Sequence, residues 1–94
     1  MKKSIITDDM EHCYICKTTH NLEMHHCIHG TANRRKADKY KLVIPLCHTH
    51  HTGSNYSVHH DAKLDLKIKQ IAQKKFEEKY NHEKWMEVFG KSYI

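Results

Sequence analysis

Two pairs of metal-binding side chains share one spacing in this sequence: Cys13 and Cys16 stand three apart, and so do Cys47 and His50. That spacing lets two side chains of a tight turn reach one ion, and the four together complete a tetrahedral Cys3His set. Such a closed set leaves no open coordination position, so the ion expected is a structural Zn2+, whose binding is coupled directly to folding. His48 in place of His50 would put the second pair at adjacent positions, a poorer chelating geometry. An oxidised pair, a thiol redox centre on Cys13 and Cys16, and two unrelated turns are the competing readings.

The chain has use for such a staple. At 94 residues it is one domain at most, and only 38% of it is hydrophobic, while a chain of this size buries only roughly 60 to 68% of its unfolded surface. No apolar run approaches the roughly 18 residues of a membrane span. Met1-Lys2-Lys3-Ser4-Ile5-Ile6-Thr7 runs into Asp8-Asp9 before any secretory apolar core develops, so a reducing, cytoplasmic setting is expected. There a Cys-x-x-Cys pair reads as a metal or redox site before a structural disulfide. Cys27 has no partner at ligand spacing and reads as a buried free thiol.

Charge points to a partner. The net charge is +5, and Arg34, Arg35, Lys36, Lys39 and Lys41 fall close together with Asp38 as the one acid among them. A phosphate-rich partner suits that cluster, although a solvated basic face has the same composition.

Along the chain, residues 1–10 carry no clear period and read as a frayed arm or a short edge strand. Residues 11–60 hold a first knuckle, His12–Cys16, and a second, Cys47–His51, and read as the core, and residues 61–94 read as a helical segment packed on it. Leu22, Met24, His26 and Ile28 alternate with Glu23, His25 and Cys27, which predicts a strand. Gly30–Asn33 reads as a turn into the basic segment. Leu42–Leu46 reads as a short apolar strand, with Pro45 arguing for an edge or an end, and a helical turn is expected at the second knuckle. Asp61 and Asn81 are candidate caps of two helices. The first carries Leu64, Ile68, Ile71, Ala72 and Phe76; the second carries Trp85, Met86 and Phe89 and stops at Gly90. The fold expected is a small zinc-stabilised α+β domain: a β-hairpin, a helix at the second knuckle, and C-terminal helices.

Ten of the eleven histidines lie between His12 and His60. With His50 given to zinc, His51 projects roughly 100° away if a helical turn begins there, and it is available to a second centre. His25 and His26 are adjacent on a predicted strand, where neighbours face opposite sides. One can ligate a metal while the other takes a proton from water, as metal-assisted phosphodiester hydrolysis requires. His12, His20, His29 and His48 read as surface histidines.

Cys-x2-Cys, then Leu22-Glu23-Met24-His25-His26, then Pro45-Leu46-Cys47-x2-His50-His51 resembles the HNH endonucleases of the ββα-metal superfamily. The resemblance covers Cys13 to His59, and it is similar in particular to small phage-borne HNH proteins related to recombination-enhancing nucleases. Gly30-x2-Asn33-Arg34, Val58-His59 and Gln73–Glu78 also look like features of that subgroup. The resemblance implies a treble-clef-like ββα-metal fold and a DNA endonuclease used in recombination or processing. It implies His25 and His51 as ligands of a catalytic divalent ion, His59 as a third ligand or a phosphate contact, and His26 as general base. Leu42 stands where the family pattern would place its middle asparagine, so Asn33 or a backbone carbonyl is left to orient His26.

The chemistry implied is in-line attack of water on a scissile phosphate, leaving 5′ phosphates. Mg2+, Mn2+, Ni2+ and Zn2+ all remain candidates for the catalytic ion. Arg34, Arg35, Lys36, Lys39 and Lys41 would hold the DNA backbone, and a recombination protein is a possible partner. The alternative from another class is a noncatalytic zinc module that binds DNA or such a protein.

Overall fold

The computed structural model describes residues 3–94; Met1 and Lys2 of the expected arm lie outside the described residues. Its centre is a two-stranded antiparallel sheet, β1 Leu22–His26 against β2 Val43–Cys47. Four helices accompany it among the described residues: α1 Thr31–Lys39, α2 His48–His51, α3 Ala62–Lys79 and α4 His82–Phe89. The architecture is thus α+β, and no described helix is long and apolar enough to cross a membrane.

The strands pair with Met24 opposite Pro45 and His25 opposite Ile44. Pro45 has no N–H to give, and its carbonyl instead accepts from Tyr14 N on the side away from β1, at 2.7 Å. That bond fastens the first knuckle to β2, so a proline at a sheet edge is used as an acceptor. Every residue of β2 is buried. On β1 the inward side chain is His25, with Cys27 and Ile28 buried just beyond the strand, while Met24 and His26 are only half-buried. The alternation of Leu22, Met24, His26 and Ile28 therefore does not mark the inward face. The imidazole and the thiol go inside instead, and β1 stops at His26.

The expected turn at Gly30–Asn33 is the start of a helix. Gly30, at φ 101°, reverses the chain into α1, a backbone angle at which a side chain would be strained. Helix α1 buries only Ala37, so its sequence carries no apolar stripe for a periodicity to reveal. The two antiparallel strands are therefore joined by a helix-containing connection along residues 27–42, and the expected β-hairpin has no tight turn.

The C-terminal helices follow the expected caps. Asp61 accepts from Lys63 N and Leu64 N, and Asn81 accepts from Lys84 N. Gly90 ends α4 in the left-handed region at φ 71°. Ile68, Ala72, Phe76 and Trp85 are buried, and Leu64, Ile71 and Phe89 pack partly buried against them; Met86 stays at the surface. Gln73 is fully buried with its amide satisfied: Oε1 accepts from Tyr93 N, and Nε2 donates to Glu77 and Ser92. It clamps the tail onto α3, a packing role.

One cluster of buried residues joins Cys13, Leu42, Ile44, Val58, Phe76 and Trp85, so the knuckle region and the C-terminal helices share a core. Residues 3–10 form no regular element, but they are anchored: Ile5 N donates to Lys41 O and Ile6 belongs to the core cluster.

Candidate metal centres

The two knuckles meet. The ligand atoms of Cys13, Cys16, Cys47 and His50 all lie within 4.8 Å of one another. Cys16 Sγ and Cys47 Sγ are 3.7 Å apart, and Cys47 Sγ stands 3.1 Å from His50 Nδ1. A tetrahedron with Zn–S bonds of about 2.3 Å has S···S edges of about 3.8 Å, whereas a disulfide would need about 2.05 Å. All four cysteines are free thiols, and the Cys3His group could hold a metal ion such as Zn2+.

The first knuckle is shaped by Lys17 N donating to Cys13 O and by Cys13 N donating to Thr18 O. Lys17 adopts φ 66° to close that turn. Burial raises the Cys13 thiol, but backbone N–H groups of Cys16, Cys47 and Ile15 outweigh it and bring its pKa to about 6. A thiol so placed readily becomes the thiolate that ligates. Cys27 lies apart from this group, fully buried, and its burial raises its pKa strongly.

A second group forms beside the first. His25 from β1, His51 from α2 and His59 from the following loop bring their ring nitrogens within 4.8 Å of one another. The loop is placed by two consecutive backbone bonds onto α2, Val58 N to His50 O and His59 N to His51 O. Gly53 allows the return: a Cβ there would meet His48 at 2.7 to 3.0 Å, including its backbone oxygen.

His25 is 1% exposed, and its Nε2 is a buried polar atom with no hydrogen-bond partner. An orphaned buried nitrogen is costly unless something ligates it. Burial first, and then the neighbouring His51, His59 and His29, lower its pKa to about 3. His25 is therefore neutral near pH 7, with a lone pair available for a cation. His51 Nε2 and His59 Nε2 face each other at 3.1 Å, close to the roughly 3.3 Å edge expected for two nitrogens on one tetrahedral ion. Burial, then His51 and His29, also hold the His59 pKa down. The donor set fits a divalent transition ion, three neutral imidazoles with coordination positions left open.

A cleft of about 180 Å³ opens onto this group, lined by Met24, His25, His26, His29, Arg34, His51 and His59. His26 is thus placed at the cleft next to the three-histidine group, where it meets Asp38 Oδ1 at 3.6 Å. A broader cleft of about 710 Å³ continues along α1 past His26, Arg34, Arg35 and Asp38.

Of the basic cluster, Arg34 and Arg35 line the clefts. Lys36 and Lys39 lie in the last turn of α1, with Lys39 over the Tyr40 ring, and Lys41 follows the helix. Asn33 lies near the start of α1. Arg34 and Asp38 share a face of α1 at i, i+4, whereas Asn33 shares the next face with buried Ala37. Asp38, on the same face as Arg34, is one group that meets His26.

Three further residues at the site were not singled out. Glu23 accepts from His51 Nδ1 at 2.7 Å and contacts His48 Nδ1 at 3.3 Å, and the His51 bond holds its carboxyl below the usual range. His29, read as a surface histidine, lines the cleft and contacts Asp65 at 2.9 Å. Burial raises the Asp65 carboxyl, but its bonds to Lys69 and His29 outweigh that and lower it. Only Glu23 carried a sequence signal, two residues before His25 and so on the same strand face.

Compared with models of known families, with curated proteins and with solved structures, the chain matches none.

Proposed function

We propose that this protein is a metal-dependent DNA endonuclease of HNH type. The observation that carries the reading is the convergence of His25, His51 and His59 around an orphaned buried nitrogen, at a cleft that also holds His26 and Arg34. A divalent ion held there would supply positive charge against a phosphate and its leaving oxygen. His26 takes the proton from the attacking water, and Asp38 steadies its ring. Arg34, on the cleft wall, engages a phosphate oxygen, and Arg35 extends that contact along α1. A Zn2+ held by Cys13, Cys16, Cys47 and His50 would fix α2, and with it His51, without touching substrate. A role in recombination or DNA processing, with a recombination protein as partner, follows from the resemblance of the His-His and knuckle motifs.

The test is plasmid cleavage by wild type and His26→Ala side by side, after zinc quantification, across Mg2+, Mn2+, Ni2+ and Zn2+. Loss of a general base costs about 10² to 10⁴ in rate, so the variant should bind DNA and one zinc yet fail to cut. A His26→Ala protein that cuts at the wild-type rate would overturn the assignment. DNA retained without cutting by either protein would favour the noncatalytic binding module.

A further inference from the structure

We propose that Glu23 is the positioning residue of the three-histidine site: its carboxylate fixes the ring of His51 so that the Nε2 lone pair is aimed at the ion. The inference rests on the metal-dependent reading above and adds a residue that touches neither ion nor substrate.

An ionised carboxylate can only accept hydrogen bonds, so at the 2.7 Å contact the His51 nitrogen Nδ1 must carry the proton. In the neutral ring the other nitrogen, Nε2, then presents its lone pair, and it lies 3.1 Å from His59 Nε2. Without that bond His51 is free to take the other tautomer, with a proton where the ion should sit. The carboxylate is itself held on both sides. Its backbone is fixed by sheet pairing with Leu46, and its second oxygen contacts His48 Nδ1 at the other end of α2. A single side chain of β1 thus grips both ends of the helix that carries His51, and it supplies the negative charge that three neutral imidazoles lack. Outer carboxylates of this kind orient a ligating histidine and raise its basicity, and losing one costs 10- to 100-fold in metal affinity.

The experiment uses the full chain with Zn2+ in the Cys3His group, titrated with Co2+. A thiolate-to-cobalt band reports exchange at the cysteines, and nitrogen-ligated Co2+ reports the histidine site, so the two are read separately. Glu23→Ala should weaken Co2+ binding at the histidine site by about 10- to 100-fold with zinc content unchanged. Glu23→Gln keeps an accepting oxygen and should recover most of that loss, and His48→Ala, which removes only the second hold on the carboxylate, should weaken the affinity by less than Glu23→Ala. Glu23→Ala binding Co2+ as tightly as wild type would overturn the proposal. Glu23→Gln as weak as Glu23→Ala would assign the effect to charge and overturn the tautomer claim. A wild type that takes up no Co2+ beyond the cysteine site overturns the metal-dependent reading itself, and the wild-type titration alone tells that failure from the others.

Discussion

Residues 47–51 serve both histidine-bearing groups, and the two differ in how they are closed. Cys47 and His50 turn toward the first knuckle, where three sulfurs and one nitrogen lie within 4.8 Å of one another and could enclose an ion. His51, one residue on, turns toward His25 and His59, where three nitrogens leave coordination positions facing a cleft. The four-residue helix α2 is what lets adjacent histidines diverge. On the proposed reading, a saturated set would contribute stability, whereas an unsaturated one beside His26 and Arg34 would bind and act on a phosphate.

The sharpest way to break this comparison is to remove the metal from one side. Structural zinc binds zinc-finger peptides with an apparent 10 to 16 kcal/mol, roughly the whole stability of a small domain at 5 to 15 kcal/mol. Chelation, or Cys47→Ser, should therefore unfold the chain. Because Cys13 and Trp85 belong to one buried cluster, α3 and α4 should lose their fixed packing with the knuckles. His51→Ala should leave the fold intact, since His51 lies outside the Cys3His set. Amide dispersion in NMR and near-ultraviolet circular dichroism would read both. A chelated chain that keeps a dispersed spectrum would show the core to be self-sufficient and the two centres to be less different than their geometry implies.

The same contrast explains what could be read from the sequence. The knuckles were legible because chelation by a tight turn imposes a short, fixed spacing on Cys13 and Cys16 and again on Cys47 and His50. The C-terminal helices were legible because Asp61 and Asn81 cap helices that bury an apolar stripe. Helix α1 was hidden because it buries a single alanine and is otherwise polar, so nothing in its pattern separates it from a loop. Asp38 and His29 were hidden for a related reason. Their placement depends on where α1 starts and how the chain after β1 returns to α3, and neither leaves a local signature. Glu23 sits in the open on β1, but a carboxylate there reads as a surface charge until α2 is folded over it.

A smaller effect separates the centres by pH. His25 has its pKa lowered from 6.5 to about 3, by burial first and then by His51, His59 and His29, with Asp65 opposing. Between those values the unfolded chain binds a proton that the folded chain refuses. Stability is then full above about 6.5 and falls as the pH drops below it, by about 1.4 kcal/mol per unit. From pH 6.5 to 5 the loss should be about 2 kcal/mol with only the Cys3His group loaded. Urea midpoints of wild type and His25→Gln across that window would measure it, the wild type showing the steeper decline. Equal slopes would mean that His25 is not held neutral, removing one argument for an ion among the imidazoles.

The finest adjustment acts on the closed centre alone. Lys17 holds φ 66° in the turn that presents Cys13 and Cys16, a region in which a side chain costs roughly 1 to 2 kcal/mol and glycine costs nothing sterically. Lys17→Gly relieves that strain and gives back part of the gain through the greater freedom of glycine in the unfolded chain. The net should be a stabilisation of about 0.5 to 1 kcal/mol, read as a higher melting temperature of the zinc-loaded chain and slower zinc loss to a competing chelator. Cobalt affinity at the three-histidine site should not move, because the first knuckle contributes no ligand to it. A Lys17→Gly protein that tightened both sites equally would show that strain in the first knuckle is transmitted through α2, so that the closed centre governs the open one.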